Sequence, residues 1–564
     1  MHNCYTERPE LKFELSHPLM QRIVALREGD FGESQTYPYA PTDYADAMDS
    51  YDRVLGIVGE VVATTIADNA EANDREGCEL IGHRVKYAKG TADDLRAMHQ
   101  AGTSGMTMPR CYGGLNFPVT VYTMADEIVA GRDAGFSNIW SLQHCIDTLF
   151  EFGTPDQHQR FIPRVCQGET MSMDLTEPDA GSDLQRVMLR ATFDEANDCW
   201  RLNGVKRFIT NGDADLHLVL ARSEEGTTDG RGLSMFIYDK KDGGVDVRRV
   251  ENKMGIHGSP TCELTFTNAR AEIVGSRRMG LIKYVMALMN GARLGISAQS
   301  VGLSQAAYDE AVAYAKDRQQ FGQPIIEFPA VSQLLGTMKA KLDAGRALLY
   351  QCARYVDIYK ALEQLERQRK VAGEKLTPEE RAEQKQYAQW ATALTPLAKG
   401  MNSEFCNQNC YDGLQIHGGS GYMKEYPIQR YYRDARITSI YEGTTQLQVV
   451  AAIRFVTNGT YLALCREWEK QPVSEEVRPL QERSVKLHDQ LAEITELVRE
   501  TDDAAYSDLC ARSLYEIAAH CVMAQLLQYN ASQAPELFLA SAKTYQNYAE
   551  AEAAKHCSLI RTLK

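Results

Sequence analysis

CWRLNGVKRFI, residues 199–209, marks where the chain turns from helical to extended texture. Asn203-Gly204 stands between two short apolar runs, which predicts a two-residue hairpin turn. LHLVLAR (216–222), GLSMFIYDK (232–240) and CELTFTNARAEI (262–273) follow as further strands, parted by turn-rich pieces such as TTDGRG. Residues 171–276 therefore read as a small all-β domain.

Upstream, residues 41–170 carry helical periodicity. DYADAMDSYDRVLGIVGEVVATTIADNA places Met48, Val54, Leu55, Val58, Val61 and Val62 at helical spacing. MPRCYGGLNFP breaks this run as a loop, with Pro109, Gly113, Gly114 and Pro118 as its markers. Downstream, 277–455 is helical again, opening with one long helix from Leu281 whose apolar stripe starts at Ile282, Val285, Met286 and Met289. The polar stretch 366–386 is either a solvated helical hairpin tip or a mobile insertion. Residues 1–40 form an N-terminal extension and 456–564 an extra helical C-terminal domain. The fold class is mainly α with a central small β-domain: helical domain, β-barrel, four-helix bundle and a C-terminal helical extension. Helices, then strands, then helices is not the βαβ alternation of a dinucleotide-binding sheet, and no GxGxxG or Walker motif opens a helix after a strand.

The chain has 564 residues, enough for several domains, with 44% apolar and 24% charged residues. Its net charge of −15 argues against nucleic acid or an anionic membrane as main partner. The 14 cysteines include no CxxC pair and no zinc spacing, so reduced thiols, no metal site and a cytoplasmic location are expected. The start MHNCYTERPELKFELSHPL carries charges where a signal peptide has an apolar run, and no stretch is long and apolar enough to span a bilayer.

Four motifs carry candidate chemistry. MSMDLTEPDAGSD (171–183) offers Thr176, Ser182 and loop N–H groups to a polar planar ligand or a phosphate, though alone it reads as a capped turn. KRFITNGDAD (206–215) places Thr210 before an Asn211-Gly212 turn; alone it is a strand end. DRQQFGQPI (317–325) offers Arg318 to a pyrophosphate, or simply to solvent. QIHGGSGYMKEYPIQRYYRDARITSIYEGTTQLQ (415–448) contains Gly418, Gly419 and Gly421, which permit close backbone approach. In it Glu442 follows Ile440 and Tyr441, an apolar setting that would raise a carboxyl pKa toward that of a general base. The bland alternative is a surface Glu at a helix N-terminus.

Together, and in this order, the motifs resemble the acyl-CoA dehydrogenase family: LTEPDAGSD is similar to its first signature, and QIHGGSGY with IYEGTTQLQ to its second. The resemblance covers about residues 40–455. It implies an FAD cofactor and an acyl-CoA substrate. Thr176 would bond the flavin pyrimidine edge, and Ser182 would lie between flavin and acyl-CoA. Phe208, where many members carry Trp, would face the ring edge, and Thr210 would bond the ring. Arg318, Gln415, Gly418 and Gly419 would hold the pyrophosphate and adenosine, partly across a subunit interface. Thr444 and Gln446 would touch the adenosine half. Arg293 would lie near the CoA end of the acyl pocket, with Tyr441 and Gly443 beside the substrate. Glu442 matches the catalytic base. Some relatives draw their base from the position before the matching arginine, which here is Ala292.

Pro329 stands where many members have a cofactor-contacting Gln, so that contact is not carried over. The insertion and tail resemble the larger bacterial branch that includes methylthiopropionyl-CoA dehydrogenases. The resemblance further implies electron-transfer flavoprotein as acceptor and a homodimer, with a tetramer as the alternative. An oxygen-using acyl-CoA oxidase is the competing enzyme; a flavin-bearing, DNA-associated stress protein is the competing reading of another class, opposed by the charge.

Overall fold

The computed structural model describes residues 2–563. The chain forms two compact units, one from the residues up to Arg8 with Arg27–Gly295, the other from Pro9–Leu26 with Ile296 onward.

The first unit opens with helices. Tyr44–Val61 is capped by Asp43, whose carboxylate accepts from the Asp46 N–H. Leu55, Val58 and Val62 of the expected stripe are buried, and Ala47, Tyr51 and Ile66 complete it. Met48, Val54 and Val61 lie only half-buried at its margin. A hairpin of β1 (Glu79–Ile81) and β2 (Arg84–Lys86) follows. Helices Lys89–Gln100, Val119–Ala130, Ala134–Trp140, Cys145–Phe152 and Pro155–Cys166 lead to the main sheet. The last is set by a Thr154/Gln157 capping box with Pro155 at its first position.

That sheet has seven strands: β3 (Met171–Asp174), β4 (Arg190–Asp194), β5 (Cys199–Thr210), β6 (Leu216–Arg222), β7 (Leu233–Asp239), β8 (Val245–Val250) and β9 (Thr261–Val274). β6, β4, β5, β9 and β7 pair in turn, and β7 pairs back onto β6, so five strands close into a small barrel. β3 adds to β6 in parallel, and β8 to β9 antiparallel. Period-2 alternation explains the apolar runs. Leu216, Leu218, Leu220, Leu233, Met235 and Ile237 face one core with Ile146, Leu149, Phe161 and Ile162 of the helices. Val219, Ala221, Phe236 and Tyr238 face the other with Trp200, Leu202 and Leu264. Both faces are covered, so the strands read as continuously apolar.

The hairpin expected at Asn203-Gly204 is not there. β5 runs unbroken from Cys199 to Thr210, and its pairing with β9 shifts register between Leu202 and Gly204. The pair makes a β-bulge: Asn203 Oδ1 accepts from the Asn268 N–H at 2.8 Å, and Gly204 takes φ 141°. A Cβ on Gly204 would sit 3.1 Å from Leu189 Cα. The turn lies one step earlier, between β4 and β5, with Asp198 at φ 47°.

The second unit is helical. Helix Met286–Asp317 enters it at Ile296 and is followed by Pro329–Val371, Pro378–His417, Ile428–Thr438, Thr445–Thr457, Thr460–Trp468, Arg478–Glu500, Ala504–Gln533 and Pro535–Leu563. Pro329 occupies the first position of its helix, where a missing N–H costs nothing. The polar stretch 366–386 is the hairpin tip, closed by a Thr377/Glu380 capping box and an Arg369–Glu380 ion pair at 2.5 Å. The tail packs onto the bundle. Leu487, Leu491, Ile494 and Val498 are buried, as their spacing required. Tyr461 and Tyr515 hydroxyls donate to the carbonyls of Ala393 and Pro396, at 2.6 and 3.1 Å, inside helix Pro378–His417. Pro9–Leu26 belongs here too: buried Glu14 accepts from Arg354 Nη1 at 2.8 Å and from Asn530 Nδ2 at 3.0 Å. Among the described residues no single helix is long and apolar enough to cross a membrane; Thr445–Thr457 with Thr460–Trp468 passes only as a pair bent by 69°.

Candidate active site

The first unit carries the residues expected at a flavin ring. Thr176 is half-buried just past β3, and its carbonyl accepts from the Arg207 N–H at 3.0 Å. Ser182 is exposed in the same loop. The loop is held from beneath by a pair that the sequence motifs did not reveal as partners. Buried Glu177 accepts from the N–H groups of Met188 and Leu189, at 2.7 and 2.9 Å. It also accepts from Lys206 Nζ at 2.9 Å, and Lys206 donates again to the Leu175 carbonyl at 2.9 Å. Burial pushes the Lys206 pKa down, and the Glu177 carboxylate opposes that.

Two residues past Lys206, a second register shift takes Phe208 to φ 60° and leaves it 52% exposed. A phenylalanine in the left-handed region is strained, and here the bulge turns its ring out of the sheet. The Arg207 guanidinium lies 4.8 Å from the ring centroid. Thr210 ends β5, half-buried and paired with Thr261. Asn211, a residue passed over as a turn former, is buried at φ 54°. It donates to the Met171 carbonyl at 3.2 Å and accepts from the Tyr87 hydroxyl, locking β3 to the end of β5. Arg293, also in this unit, is half-buried, with Nη1 donating to Asn290 Oδ1 at 3.3 Å. Ala292 beside it is buried.

The second unit carries the carboxylate. Glu442 and Gly443 lie between helices Ile428–Thr438 and Thr445–Thr457 at φ 53° and 90°. Glu442 is half-buried, as is Tyr441, whose hydroxyl bonds Gln299 Oε1. The turn is tied at both ends. Thr445 N–H donates to the Ser439 carbonyl at 3.1 Å, and Thr444 Oγ1 caps the next helix by accepting from Leu447 N–H at 3.3 Å. The Gly443 carbonyl accepts from Lys399 Nζ at 2.6 Å and Gln448 Nε2 at 2.9 Å. Neither Lys399 nor Gln448 belonged to any motif. Gln446 points outward, exposed.

Gln415 is exposed on the last turn of helix Pro378–His417, and Gly418 ends that helix at φ 58°. Gly421 is glycine for a local reason, since a Cβ would lie 2.7 Å from His417 Cβ. Gly418 and Gly419 are exposed, and a Cβ on either would meet nothing within 4 Å. The positive φ accounts for Gly418; nothing within the chain accounts for Gly419. Arg318 is exposed beyond the long helix, its backbone tied to Tyr314 and Ile325. The structure thus brings Thr176, Phe208 and Thr210 together in one unit, and Tyr441 to Gln446 together in the other. Among the described residues no group of His, Cys, Asp and Glu could hold a metal ion.

Family models match this chain from residue 54 to residue 564. Profiles for the acyl-CoA dehydrogenase N-terminal, middle and C-terminal domains cover residues 54–169, 172–269 and 282–456. A further profile, "Acyl-CoA dehydrogenase C terminal", covers 457–564. A 3-(aryl)acrylate reductase of Clostridium sporogenes is 35% identical over 69% of this chain and 96% of its own. The 3-methylmercaptopropionyl-CoA dehydrogenase of Ruegeria pomeroyi is 32% identical over 73% of this chain and 70% of its own. The fold, tail included, is shared with an acyl-CoA dehydrogenase from Bacillus anthracis solved with FAD, at TM-score 0.76 and 22% identity over 91% of this chain and 88% of that one. The chain belongs to the acyl-CoA dehydrogenase family, in its larger form with a C-terminal extension.

Proposed function

We propose that this enzyme removes one hydrogen from each of the α and β carbons of an acyl-CoA thioester, with Glu442 as the base. The observation that carries the reading is the conformation of Glu442. A glutamate at φ 53° is unfavourable unless its surroundings fix it, and such strain concentrates at functional sites.

The residues fit FAD. Phe208 offers an exposed ring edge turned out by a bulge, Thr176 and Thr210 lie half-buried in the same unit, and in the other unit Gly419 leaves its backbone open to a ligand. When bound, FAD supplies the hydride acceptor. The chain does the rest. The Glu442 carboxylate takes the α-proton. Its backbone N–H, following the family pattern, donates to the thioester oxygen and stabilises the charge that develops there. Binding the acyl chain removes water from the carboxylate and strengthens it as a base. The product is a trans-2-enoyl-CoA. Electrons then leave singly to an electron-transfer flavoprotein, the acceptor that the family resemblance supports.

Anaerobic mixing of the yellow protein with a panel of acyl-CoAs tests the reaction: bleaching of the flavin band supports it, and no bleaching by any acyl-CoA rejects it. Electron-transfer flavoprotein should then restore the colour. Rapid peroxide formation without response to that protein would move the assignment to an oxidase.

A further inference from the structure

Trp140 ends the helix Ala134–Trp140, and His144 ends the 3-10 turn Ser141–His144 that follows. Both hide a polar nitrogen. Among the described residues, nothing accepts from Trp140 Nε1 and nothing bonds His144 Nε2, though both atoms are buried. Buried polar groups are nearly always paired, so two orphans four residues apart call for a partner that is not part of the chain.

The hydrogen-bonding character of each atom is fixed. The Ser141 carbonyl accepts from the Tyr122 hydroxyl at 2.7 Å and sits 2.6 Å from His144 Nδ1. Burial drives the Tyr122 pKa up, so that hydroxyl stays protonated and donates. Burial also pushes the His144 pKa down, so its ring is neutral and carries one proton. A carbonyl only accepts, so that proton is on Nδ1 and Nε2 presents a bare lone pair. The segment therefore offers one donor, the Trp140 indole N–H, and one acceptor, His144 Nε2. An alkyl group satisfies neither. A carboxylate satisfies the indole but meets the lone pair with negative charge. A hydroxyl, of a substrate or of water, both donates and accepts and can satisfy either atom.

The segment also lies beside the substrate residues of the same unit. A Cβ on Gly291 would come 3.5 Å from His144 Cδ2 and meet no other atom within 4 Å. Gly291 lies two residues before Arg293, which the family resemblance places near the CoA end of the acyl pocket.

We propose that Trp140 and His144 are specificity-determining residues that recognise a hydroxyl group on the acyl chain, so that the preferred substrate is a hydroxyacyl-CoA. The hydroxyl lies beyond the β-carbon, because on the α or β carbon it would turn the product into an enol rather than a trans-2-enoyl-CoA. The inference rests on the acyl-CoA dehydrogenation reading above.

The test compares kcat/KM for acyl-CoAs of equal length with and without a hydroxyl beyond the β-carbon, in wild type, His144→Leu, His144→Gln and Trp140→Phe. Wild type should prefer the hydroxylated member of at least one pair by at least about tenfold, because a site with buried polar atoms rejects the analogue that leaves them unpaired. His144→Leu and Trp140→Phe should each bring the ratio toward one, while His144→Gln, which keeps an acceptor, retains part of the preference. Flavin content checks that each variant has folded. A wild type that bleaches with plain acyl-CoAs and shows no hydroxyl preference in any pair overturns this inference and leaves the reaction standing. So does a preference that His144→Leu leaves intact. No bleaching with any acyl-CoA overturns both.

Discussion

Lys399 Nζ donates to the carbonyl oxygen of Gly443 across 2.6 Å, from a side chain that is itself fully buried. The bond fixes the Gly443–Thr444 peptide, one residue past Glu442, and so helps to hold the turn that presents the carboxylate. Lys399→Met keeps length and apolar stem but loses a charge-assisted bond of about 1.5–3 kcal/mol. Gln448 still holds the same carbonyl, so the fold should survive. The expected result is kcat down by roughly 10–100-fold with normal flavin content, because small misplacements of a reacting group are costly. Unchanged kcat would show that the lysine supports the bundle alone.

Glu442→Gln should keep the flavin and lose bleaching by acyl-CoA, by more than the ~10²–10⁴-fold usual for an acid–base group, since the amide cannot take the proton. Glu442→Gly should be equally inactive yet more stable, by about 1 kcal/mol, because glycine adopts φ 53° without a Cβ penalty. A Tm below wild type in the glycine variant would contradict the strain argument.

The buried Glu177–Lys206 pair predicts a stability effect. Lys206→Met leaves the Glu177 carboxylate buried with only the Met188 and Leu189 N–H groups. Removing one member of such a pair costs about 3–5 kcal/mol. Thermal unfolding should show a clear fall in Tm and weaker flavin retention. Adding Glu177→Gln should recover part of the loss; no recovery would place the damage elsewhere.

The second unit should weaken in acid through His520. Burial, with the charges of His556, Lys555 and Lys341, pushes its pKa from 6.5 to about 3. Its other neighbours are Tyr545, which bonds its Nδ1, Tyr548, and Glu516, whose carboxyl burial pushes up. The folded state keeps this ring neutral while the unfolded state takes a proton below 6.5. The contribution is therefore complete above 6.5 and lost as pH falls toward 3, at ~1.4 kcal/mol per unit. Between pH 7 and 5 this amounts to about 2 kcal/mol. Urea unfolding at the two pH values, wild type against His520→Gln, isolates it, since the oppositely acting Glu516 is common to both. Equal pH slopes would exclude His520 as the source.

The tail should cap assembly at a homodimer. It packs on the bundle through Tyr461 and Tyr515, and helix Ala504–Gln533 buries residues along most of its length. Light scattering should give a dimer mass, and a tetramer would refute the capping. Truncation after Thr457 bares Phe405, which packs on His520, Tyr545 and Tyr548, and should yield an insoluble protein.

Periodicity alone located the helices, the β-region between them and the buried stripe Leu487–Val498. Order and wording of the motifs singled out Thr176, Phe208, Gly418 and Glu442 as candidates. Asn203-Gly204 shows what local chemistry leaves open. The pair suits a tight turn and a bulge equally, and Leu189 and Asn268, close in space but not in sequence, decide for the bulge. Lys399, Lys206 and His144 escaped for the same reason. Each acts through a carbonyl, a carboxylate or a helix glycine that only folding brings near, and nothing adjacent in sequence distinguishes them from an ordinary lysine or histidine.

The bonds of Glu14 bear on how the polypeptide is made. Its carboxylate is synthesised hundreds of residues before its partners Arg354 and Asn530 emerge from the ribosome. Residues 27–295 can fold in the interval, whereas Pro9–Leu26 must wait until the rest of its own unit has been made. Closing so long a loop adds little entropy beyond a loop half its size, so equilibrium tolerates the arrangement. The burden is temporal: during synthesis, Pro9–Leu26 waits for partners that come much later in the chain.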